Sequence, residues 1–425
     1  MSLPRLPARN PDEHHRAATP LELLFDLISV IAIAAVTHGL SHAISAGHGL
    51  EALPRFAFLF VAIWWAWINF TWFASAFDND GFFYRVLVVL IMAGELIFAG
   101  GAGQIFETLD FSFGILGWVL MRIGMAALWL RAAANPEYRT TCLRYGGGIV
   151  LAQTLWVGLY FTAAPGSALF MAGGLAIFLL EFAVPVFAER ARITPFHRHH
   201  IMERYGLLTI ITLGEIMLSI SHGFGFLYAA PLNALPAFTA LAALVITFAL
   251  FWLYFSEEEH LPSRDFWPTF TWGYGHLAIF AAISALGAGI TAEIDLSAQM
   301  HAAPAELHAP AAPAHGAPEA ALPGTAHGAA PKAGHGEDQG ATPEAAHGAS
   351  RSALAWYLAG PLALFFATLW LVRDRHHQPR LGPRGRALPV MALVALAGGA
   401  LGLPTTGFAV IALAALLWRV PMPRL

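Results

Sequence analysis

Long apolar runs alternate with short polar segments along most of the chain. Twelve of these runs approach the roughly 20 residues that an α-helix needs to cross the hydrocarbon core of a bilayer. They lie at residues 20–44, 54–76, 82–105, 111–133, 143–163, 167–187, 201–225, 236–256, 269–292, 353–372, 387–403 and 405–420. The last two runs are short and meet near Pro404, so eleven spans is the alternative. The pattern predicts an all-α polytopic membrane protein with about 12 transmembrane helices.

Composition supports this fold class and narrows the function. Hydrophobic residues make up 57% of the 425 residues and charged residues only 12%, against about 25% charged residues in soluble domains. No basic tract suits nucleic acid, and the single cysteine, Cys142, excludes an intramolecular disulfide and a Cys-based metal cluster. No zincin motif, nucleophile elbow or phosphate-binding glycine loop is present. We therefore expect a protein that is embedded in lipid, is not an enzyme and binds no nucleic acid.

The distribution of basic residues predicts the orientation, because cytoplasmic loops retain Lys and Arg. With the N-terminus inside, 19 of the 23 Lys and Arg residues lie in inner segments and three lie in outer segments. Arg122 falls within a span. An even number of spans then places both termini in the cytoplasm.

The two halves of the chain share short matches at nearly constant offsets. Glu22 is matched by Glu203 and Glu95 by His276, both pairs 181 residues apart, whereas Leu-Trp-Leu in the fourth helix recurs after 241 residues. The offset grows by 60 residues, which is the length of the segment 293–352. We therefore predict two parallel six-helix repeats, with that segment inserted into one loop of the second. Chance similarity between apolar helices is the alternative.

These features divide the chain into six parts. They are a cytoplasmic N-terminal segment (1–19), a first six-helix repeat (20–187), a cytoplasmic loop (188–200), three helices of the second repeat (201–292), the insertion (293–352) and three closing helices (353–420). The insertion is rich in Ala, Pro, Gly and His, and we predict that it is disordered and extracytoplasmic.

The insertion is also the one place where the sequence suggests a cofactor. Its histidines are His301, His308, His315, His327, His335 and His347. Neutral imidazole binds divalent metals such as zinc, so a metal-collecting loop is one interpretation. A low-complexity insertion without a ligand is the other. We expect no cofactor elsewhere.

Two predicted helices carry polar side chains along one face. At helical spacing, the first helix has Glu22, Asp26, Ser29, Thr37 and Ser41 with His42 beside them, and the seventh has Thr209, Thr212, Glu215, Ser219 and His222. Lipid offers such a face no hydrogen-bond partner, so both faces must point to the bundle interior or to a water-filled cavity. Ser and Thr alone could join helices, whereas the acidic residues favour a functional role.

Two further charges fall near mid-membrane. Glu95 in the third helix and Arg122 in the fourth have matching depth, so we predict an ion pair, either a structural staple or a gate. Glu181 in the sixth helix has no obvious basic partner and is expected to be neutral. With Arg122 assigned to Glu95, Glu215 should be a protonatable carboxyl at a central cavity between the repeats.

A basic run precedes the seventh helix. It contains His197, His199 and His200, and Glu203 follows one helical turn after His199. This spacing could hold a metal ion or relay protons. The alternative is a topology anchor that faces lipid phosphates at the cytoplasmic surface.

Two stretches resemble the signatures of the bacterial low temperature requirement protein A family. They are "LELLFDLISVIAIAAVTHGLSH" in the first helix and "HRHHIMERYGLLTIITLGEIMLSI" in the seventh. The matching residues are Glu22, Phe25, Asp26, His200, Glu203, Arg204, Gly206, Gly214 and Glu215, while Leu24 stands where the family usually has Phe. The resemblance implies a multi-helix protein of the bacterial inner membrane and supplies no substrate. The His-rich insertion departs from it.

The leading functional hypothesis is a secondary transporter or ion-conducting protein with a carboxylate-lined path between two repeats. The residues expected along the path are Asp26, Glu95, Arg122 and Glu215, with Glu22, Glu203, His222 and His42 toward its ends. Protons are the expected coupling ion, because isolated carboxyl groups and His exchange them. The alternative is a membrane scaffold or a stress or lipid sensor in which the same charges are structural. The sequence identifies neither the solute nor an oligomeric state.

Overall fold

The computed structural model describes residues 6–14, 16–229, 234–256, 261, 265–306, 343–374, 382 and 384–420. Within them the secondary structure is helical. The helices are α1 (Pro20–Ser45), α2 (Gly49–Phe77), α3 (Phe82–Gly100), α4 (Ala102–Thr108), α5 (Ser112–Ala132), α6 (Arg139–Thr162), α7 (Ala168–Glu189), α8 (Arg198–Ala229), α9 (Leu235–Phe255), α10 (Phe266–Glu306), α11 (Pro343–Leu369), α12 (Ala387–Ala400) and α13 (Thr405–Arg419). A π-helical turn (Trp370–Asp374) follows α11, and a short 3₁₀ turn (Arg384–Arg386) precedes α12.

Each of the twelve predicted runs corresponds to helix, and the third is divided into α3 and α4 at Gly101. In the described part of the chain, nine helical segments are long and apolar enough to cross a membrane. The other three runs are the less apolar α6 and the short α12 and α13, with 14 and 15 residues. The prediction of an all-α polytopic fold is confirmed, and a crossing is supported for nine segments.

The surface of the bundle requires lipid. Large apolar side chains point outward along several helices, including Leu175 and Leu179 of α7, exposed by 63% and 60%, and Leu218 of α8, exposed by 67%. Exposed apolar area of this extent is stable only against hydrocarbon. The chain is therefore a multi-pass membrane protein whose outer helix faces contact the bilayer.

The helix that carries the first polar stripe begins at a strong signal. Thr19 is the N-cap of α1, where its hydroxyl accepts a hydrogen bond from the Glu22 backbone N–H at 3.3 Å, and the Glu22 carboxylate accepts from the Thr19 N–H at 2.7 Å. Pro20 occupies the first turn, where its missing N–H costs nothing. This capping box fixes the position of the Glu22 carboxylate.

Several helices extend beyond their predicted limits, and α11 begins at Pro343, within the predicted insertion, where a start at residue 353 had been expected. α8 begins at Arg198, so part of the predicted loop is helical, and α10 continues to Glu306. Residues 293–306, assigned to the insertion, thus prolong α10, which agrees with the high helix propensity of Ala. His308, His315, His327 and His335 lie outside the described residues, as do the side chains of His301 and His347. The metal interpretation of the insertion stays a prediction.

The centre of the bundle is formed by α1, α8 and α10. α1 packs against α2, α3, α8 and α10, while α10 packs against α1, α8, α9 and α11. Most buried apolar residues of α1 to α7 form one cluster, and those from the middle of α8 to α13 form a second cluster. The polar faces of α1 and α8 therefore meet between two apolar bodies.

Two glycines allow the closest helix contact, that of α3 with α5. A Cβ atom placed on Gly94 would lie 2.7 Å from the Gly117 carbonyl oxygen and 2.8 Å from the Met121 backbone nitrogen, and a Cβ on Gly117 would lie 2.5 Å from the Phe98 nitrogen. Backbone atoms cannot change rotamer to avoid a clash as side chains can. A Cβ atom at either glycine would therefore force α3 and α5 apart.

Gly117→Ala is expected to destabilise the protein by about 1–3 kcal/mol, the usual cost of overpacking a helix interface. Thermal unfolding of the purified protein in detergent measures the change. Gly147→Ala in α6 is the control, because a Cβ there meets no atom within 4 Å and alanine is the better helix former. Equal unfolding temperatures for the two variants would contradict the packing described.

Candidate functional site

The polar stripe predicted for α1 is buried along its whole length. Its members, Glu22, Asp26, Ser29, Thr37 and Ser41, are all inaccessible or nearly so. The exposure of the α8 stripe increases along the helix. Thr209 and Thr212 are buried, Glu215 and Ser219 are half-buried, and His222 is exposed. Both faces point inward as predicted, and they differ in how much water can reach them.

A buried ion pair joins the two stripes near the start of α1. Arg204 of α8 donates to Asp26 of α1 through Nη2 at 2.6 Å and through Nε at 3.0 and 3.2 Å. The Trp67 indole of α2 donates to the same carboxylate at 2.7 Å. Neither partner of the ion pair is exposed. Burial strengthens this pairing, because an unpaired charge here would be strongly unfavourable.

Glu22 extends the pair into a network. Its carboxylate lies 3.4 Å from Nη1 of Arg204, 3.1 Å from Nε2 of His200 and 3.3 Å from Nη2 of Arg16. We call Arg16, Glu22, Asp26, His200 and Arg204 the ion-pair cluster. All five side chains are buried.

Arg16 ties this cluster to the end of α2. Its guanidinium donates to the carbonyl oxygens of Ser75 at 2.6 Å and Ala74 at 2.8 Å, which belong to the last turn of that helix. The Ala74 carbonyl also accepts from the Asp78 backbone N–H at 3.2 Å, and the carbonyls of this last turn carry the negative end of the helix dipole. Asp78 lies 4.0 Å from Arg16, and burial raises the pKa of its carboxyl above the ordinary value. Arg16 thus links α1 to the end of α2 through buried polar groups that water does not reach.

The basic run before α8 is not a lipid-facing anchor as a whole. His200 and Arg204 are fully buried in the cluster, and His197 is fixed by a 2.7 Å contact between Nε2 and the Glu13 carbonyl oxygen. Only His199 is exposed, and Glu203 is half-buried with one carboxylate oxygen lacking a hydrogen bond. No group of three or more His, Cys, Asp or Glu side chains in the described ranges could hold a metal ion.

The predicted Glu95–Arg122 ion pair is wrong. Arg122 of α5 instead contacts Glu181 of α7, whose carboxylate also accepts a 2.6 Å hydrogen bond from the Trp65 indole. The guanidinium lies 4.4 Å from the centre of the Trp118 ring. Glu181 therefore has a basic partner, contrary to the expectation. Matching depth along two helices does not say which faces meet, and that is why the assignment failed.

Glu95 is left in an unusual environment. It is fully buried on α3, and neither carboxylate oxygen has a hydrogen-bond partner within the described residues. The Ser29 hydroxyl of the α1 stripe faces it, and Asp26 is close enough to act on it electrostatically. A neutral carboxylic acid is much cheaper than a carboxylate in such a place.

Glu215 lies at a small polar cavity where α1, α8 and α10 meet, which we call the α1–α8–α10 cavity. Its volume is about 50 Å³, enough for a few water molecules. It is lined by Thr37, His38, Ser41, Thr212, Glu215, Ile216, Ser219, Ser284, Gly287 and Thr291. The Glu215 carboxyl has no hydrogen bond or ion pair with any described residue. The carboxyl thus lies beside a polar cavity, while its predicted role as a titrating group at a central cavity between the repeats stays a prediction.

Several lining residues were missed from the sequence. Ser284, Gly287, Thr291 and Asp295 recur on α10 at spacings of 3, 4 and 4, a third helical stripe that periodicity alone could have identified. Asp295 lies 3.9 Å from Nδ1 of His222 beside the cavity. His42 is exposed and does not line it.

The family described as bacterial low temperature requirement A protein (LtrA) matches residues 17–420 of the chain. The chain belongs to the LtrA family. This LtrA-family chain is 26% identical over 280 residues to an uncharacterized protein of Rhizobium meliloti (strain 1021), RA0937, covering 62% of the chain and 66% of that relative, just under two thirds of its length. No solved structure matches.

The motif residues of the LtrA-family chain fall at two places. Glu22, Asp26, His200 and Arg204 form most of the ion-pair cluster, whereas Glu215 lines the α1–α8–α10 cavity. Arg122 lies in a separate pair within the first half of the chain. The geometry therefore divides the predicted path into a dry, paired end and a more open, unpaired end.

Asp26→Asn is expected to destabilise the protein by about 3–5 kcal/mol, because it leaves Arg204 charged, buried and without its main partner. Unfolding in detergent measures this loss. Asp80→Asn is the matched control, since it removes a carboxylate from the exposed pair with Arg85 and should change stability little. A mild effect of Asp26→Asn would contradict a dry cluster.

Glu181→Gln should destabilise the protein much more than Glu95→Gln does. The first leaves Arg122 without its counter-charge and is expected to cost about 3–5 kcal/mol. The second replaces an unpaired acid with an amide of similar shape and should cost much less. Parallel unfolding of the two variants tests the observed pairing, and the opposite ranking would restore the Glu95–Arg122 pair.

Proposed function

We propose that this LtrA-family protein is a secondary transporter or ion-conducting protein of the bacterial inner membrane. Its path follows α1, α8 and α10, between the two halves of the bundle. The observation that carries the proposal is Glu215, an acidic residue in the middle of an apolar helix that lines a polar cavity and forms no ion pair with any described residue. Ionisable groups of this kind in membrane proteins are characteristic of ion and proton pathways.

The proposed path has one accessible end and one closed end. The α1–α8–α10 cavity forms the accessible end, and the ion-pair cluster closes the other. Asp26 and Thr37 are eleven residues apart on α1, about 16 Å along the helix. Between them lie Ser29 and, on α3, Glu95, which face each other and have no other polar side-chain contact among the described residues. A carrier needs such asymmetry, because a path open at both ends would leak.

The neighbours of the central helices support two parallel six-helix repeats. α1 packs on α2 as α8 packs on α9, α1 on α3 as α8 on α10, and α3 on α5 as α10 on α11. We propose that the path lies at the pseudo-two-fold interface between these repeats, as in other repeat-built transporters.

The orientation follows from the basic residues. Most Lys and Arg residues lie on the side where α1 begins, which we assign to the cytoplasm. The ion-pair cluster then closes the cytoplasmic end, and the α1–α8–α10 cavity faces the outside. The His-rich segment is also external, and both termini are cytoplasmic. No residue is assigned a catalytic role.

One observation favours the alternative of a non-transporting scaffold or sensor. In the ion-pair cluster each carboxylate has a basic partner within 3.4 Å, as expected of charges that pin helices together. Glu215 does not fit that role. The two functions therefore differ in whether removal of the Glu215 charge changes ion movement or nothing at all.

Glu215→Gln is expected to preserve folding and abolish pH-dependent function, because the amide keeps the shape of the side chain and cannot exchange a proton. Proteoliposomes that contain a pH-sensitive dye, tested with a panel of ions and metabolites, measure the flux. Glu107→Gln, an exposed change of the same kind in α4, should behave as wild type. Wild-type flux in Glu215→Gln, or loss of several kcal/mol of stability, would remove the main support for a carrier.

A further inference from the structure

We infer that the α1–α8–α10 cavity is a binding site for a small monovalent cation of the alkali series, held by the Glu215 carboxylate and by hydroxyl oxygens from all three helices. This inference rests on the proposed function and identifies the ion that the path would accept.

Two buried hydroxyls in the cavity have no hydrogen-bond partner among the described residues. Thr37 and Ser284 are exposed by only 7% and 3%, yet their hydroxyl oxygens have no hydrogen bond to a described residue. Both line the same cavity from opposite helices. A buried polar group without a partner is costly, and so this pair indicates that something polar occupies the space between α1 and α10.

Three further hydroxyls, those of Thr212, Ser219 and Thr291, present lone pairs to the cavity. Thr212 donates its proton to the Leu208 carbonyl at 2.7 Å, and Thr291 donates to the Gly287 carbonyl at 2.8 Å. Ser219 lies 2.6 Å from the Thr291 oxygen and must donate to it, because the Thr291 proton is already used. Oxygens whose protons are engaged can only accept. The walls therefore suit a cation and disfavour an anion.

The type of donor and the charge both favour an alkali cation. Carboxylate and hydroxyl oxygens are ligands for hard cations, whereas zinc and copper favour imidazole and thiolate. Among the cavity-lining residues Glu215 is the only carboxylate. One positive charge neutralises it, whereas a divalent ion would leave a net positive charge in a poorly solvated site. A cavity of about 50 Å³ also leaves room for water that remains on the ion.

Protons compete with the cation at this site. A protonated Glu215 is neutral and offers one donor, so acidification should weaken cation binding. The other titratable groups are His38 of α1, which also lines the cavity, and Asp295 of α10 and His222 of α8 beside it. α9, which packs on α8, contains no Asp, Glu, His, Lys or Arg.

The test is cation binding to the purified full-length protein in detergent. Isothermal titration calorimetry with sodium, potassium and lithium chloride, with choline chloride maintaining the ionic strength, should show saturable binding of at least one alkali ion. The affinity should fall as the pH is lowered. Magnesium and calcium should not compete at equal concentration.

Variants assign the signal to the cavity. Glu215→Gln should abolish binding, and Thr37→Val or Ser284→Ala should weaken it about three- to tenfold, the effect of one lost polar contact. Glu107→Gln, at an exposed site, and Thr247→Val, whose hydroxyl donates to the Ala243 carbonyl outside the cavity, are the matched controls. Unfolding temperatures measured without alkali ions separate weakened binding from misfolding.

The outcomes distinguish this inference from the proposed function. Absence of saturable alkali binding, binding of a divalent ion in its place, or binding that survives Glu215→Gln would overturn the cation site. If proton flux were still lost in Glu215→Gln, the transport proposal would stand without it. Alkali binding that depends on Glu215, in a protein whose variants move ions as wild type does, would support the site and remove the transport proposal.

Discussion

The buried contact between Asp26 and Arg204 is the interaction on which the arrangement of the central helices depends. It joins α1 to α8 where neither charge reaches water. A charge in such a place must be paired and hydrogen-bonded, and that requirement fixes the rotation of both helices about their axes. Once the two helices are fixed, their polar faces turn toward each other and toward α10.

The same constraint reaches the ends of other helices. Arg16 satisfies the last carbonyls of α2, and Arg373 satisfies those near the end of α9. In water these carbonyls would be solvated at little cost, but in an apolar bundle they need a protein donor. Basic residues that the positive-inside rule counts as markers of orientation therefore also cap helices from elsewhere in the chain.

Periodicity and hydropathy predicted the helices and the inward polar faces well. Thr19, Glu22 and the apolar runs are local signals, and burial of the α1 stripe follows from the absence of partners in lipid. Partner choice was not predictable, because it depends on which faces meet. Arg122 contacts Glu181 where Glu95 had been expected, and His200 contacts Glu22 where lipid phosphates had been the alternative. The α10 stripe was visible in the sequence, but it contains few charges.

The length of α10 has a mechanical consequence. At about 1.5 Å per residue its 41 residues extend about 60 Å, roughly twice the thickness of the hydrocarbon core, so even a tilted α10 must project beyond the bilayer. The same helix contributes the cavity-lining residues Ser284, Gly287 and Thr291. Because α10 is one continuous helix, a force that tilts its protruding turns would also move the residues that line the cavity. No hinge between the two parts of the helix is needed.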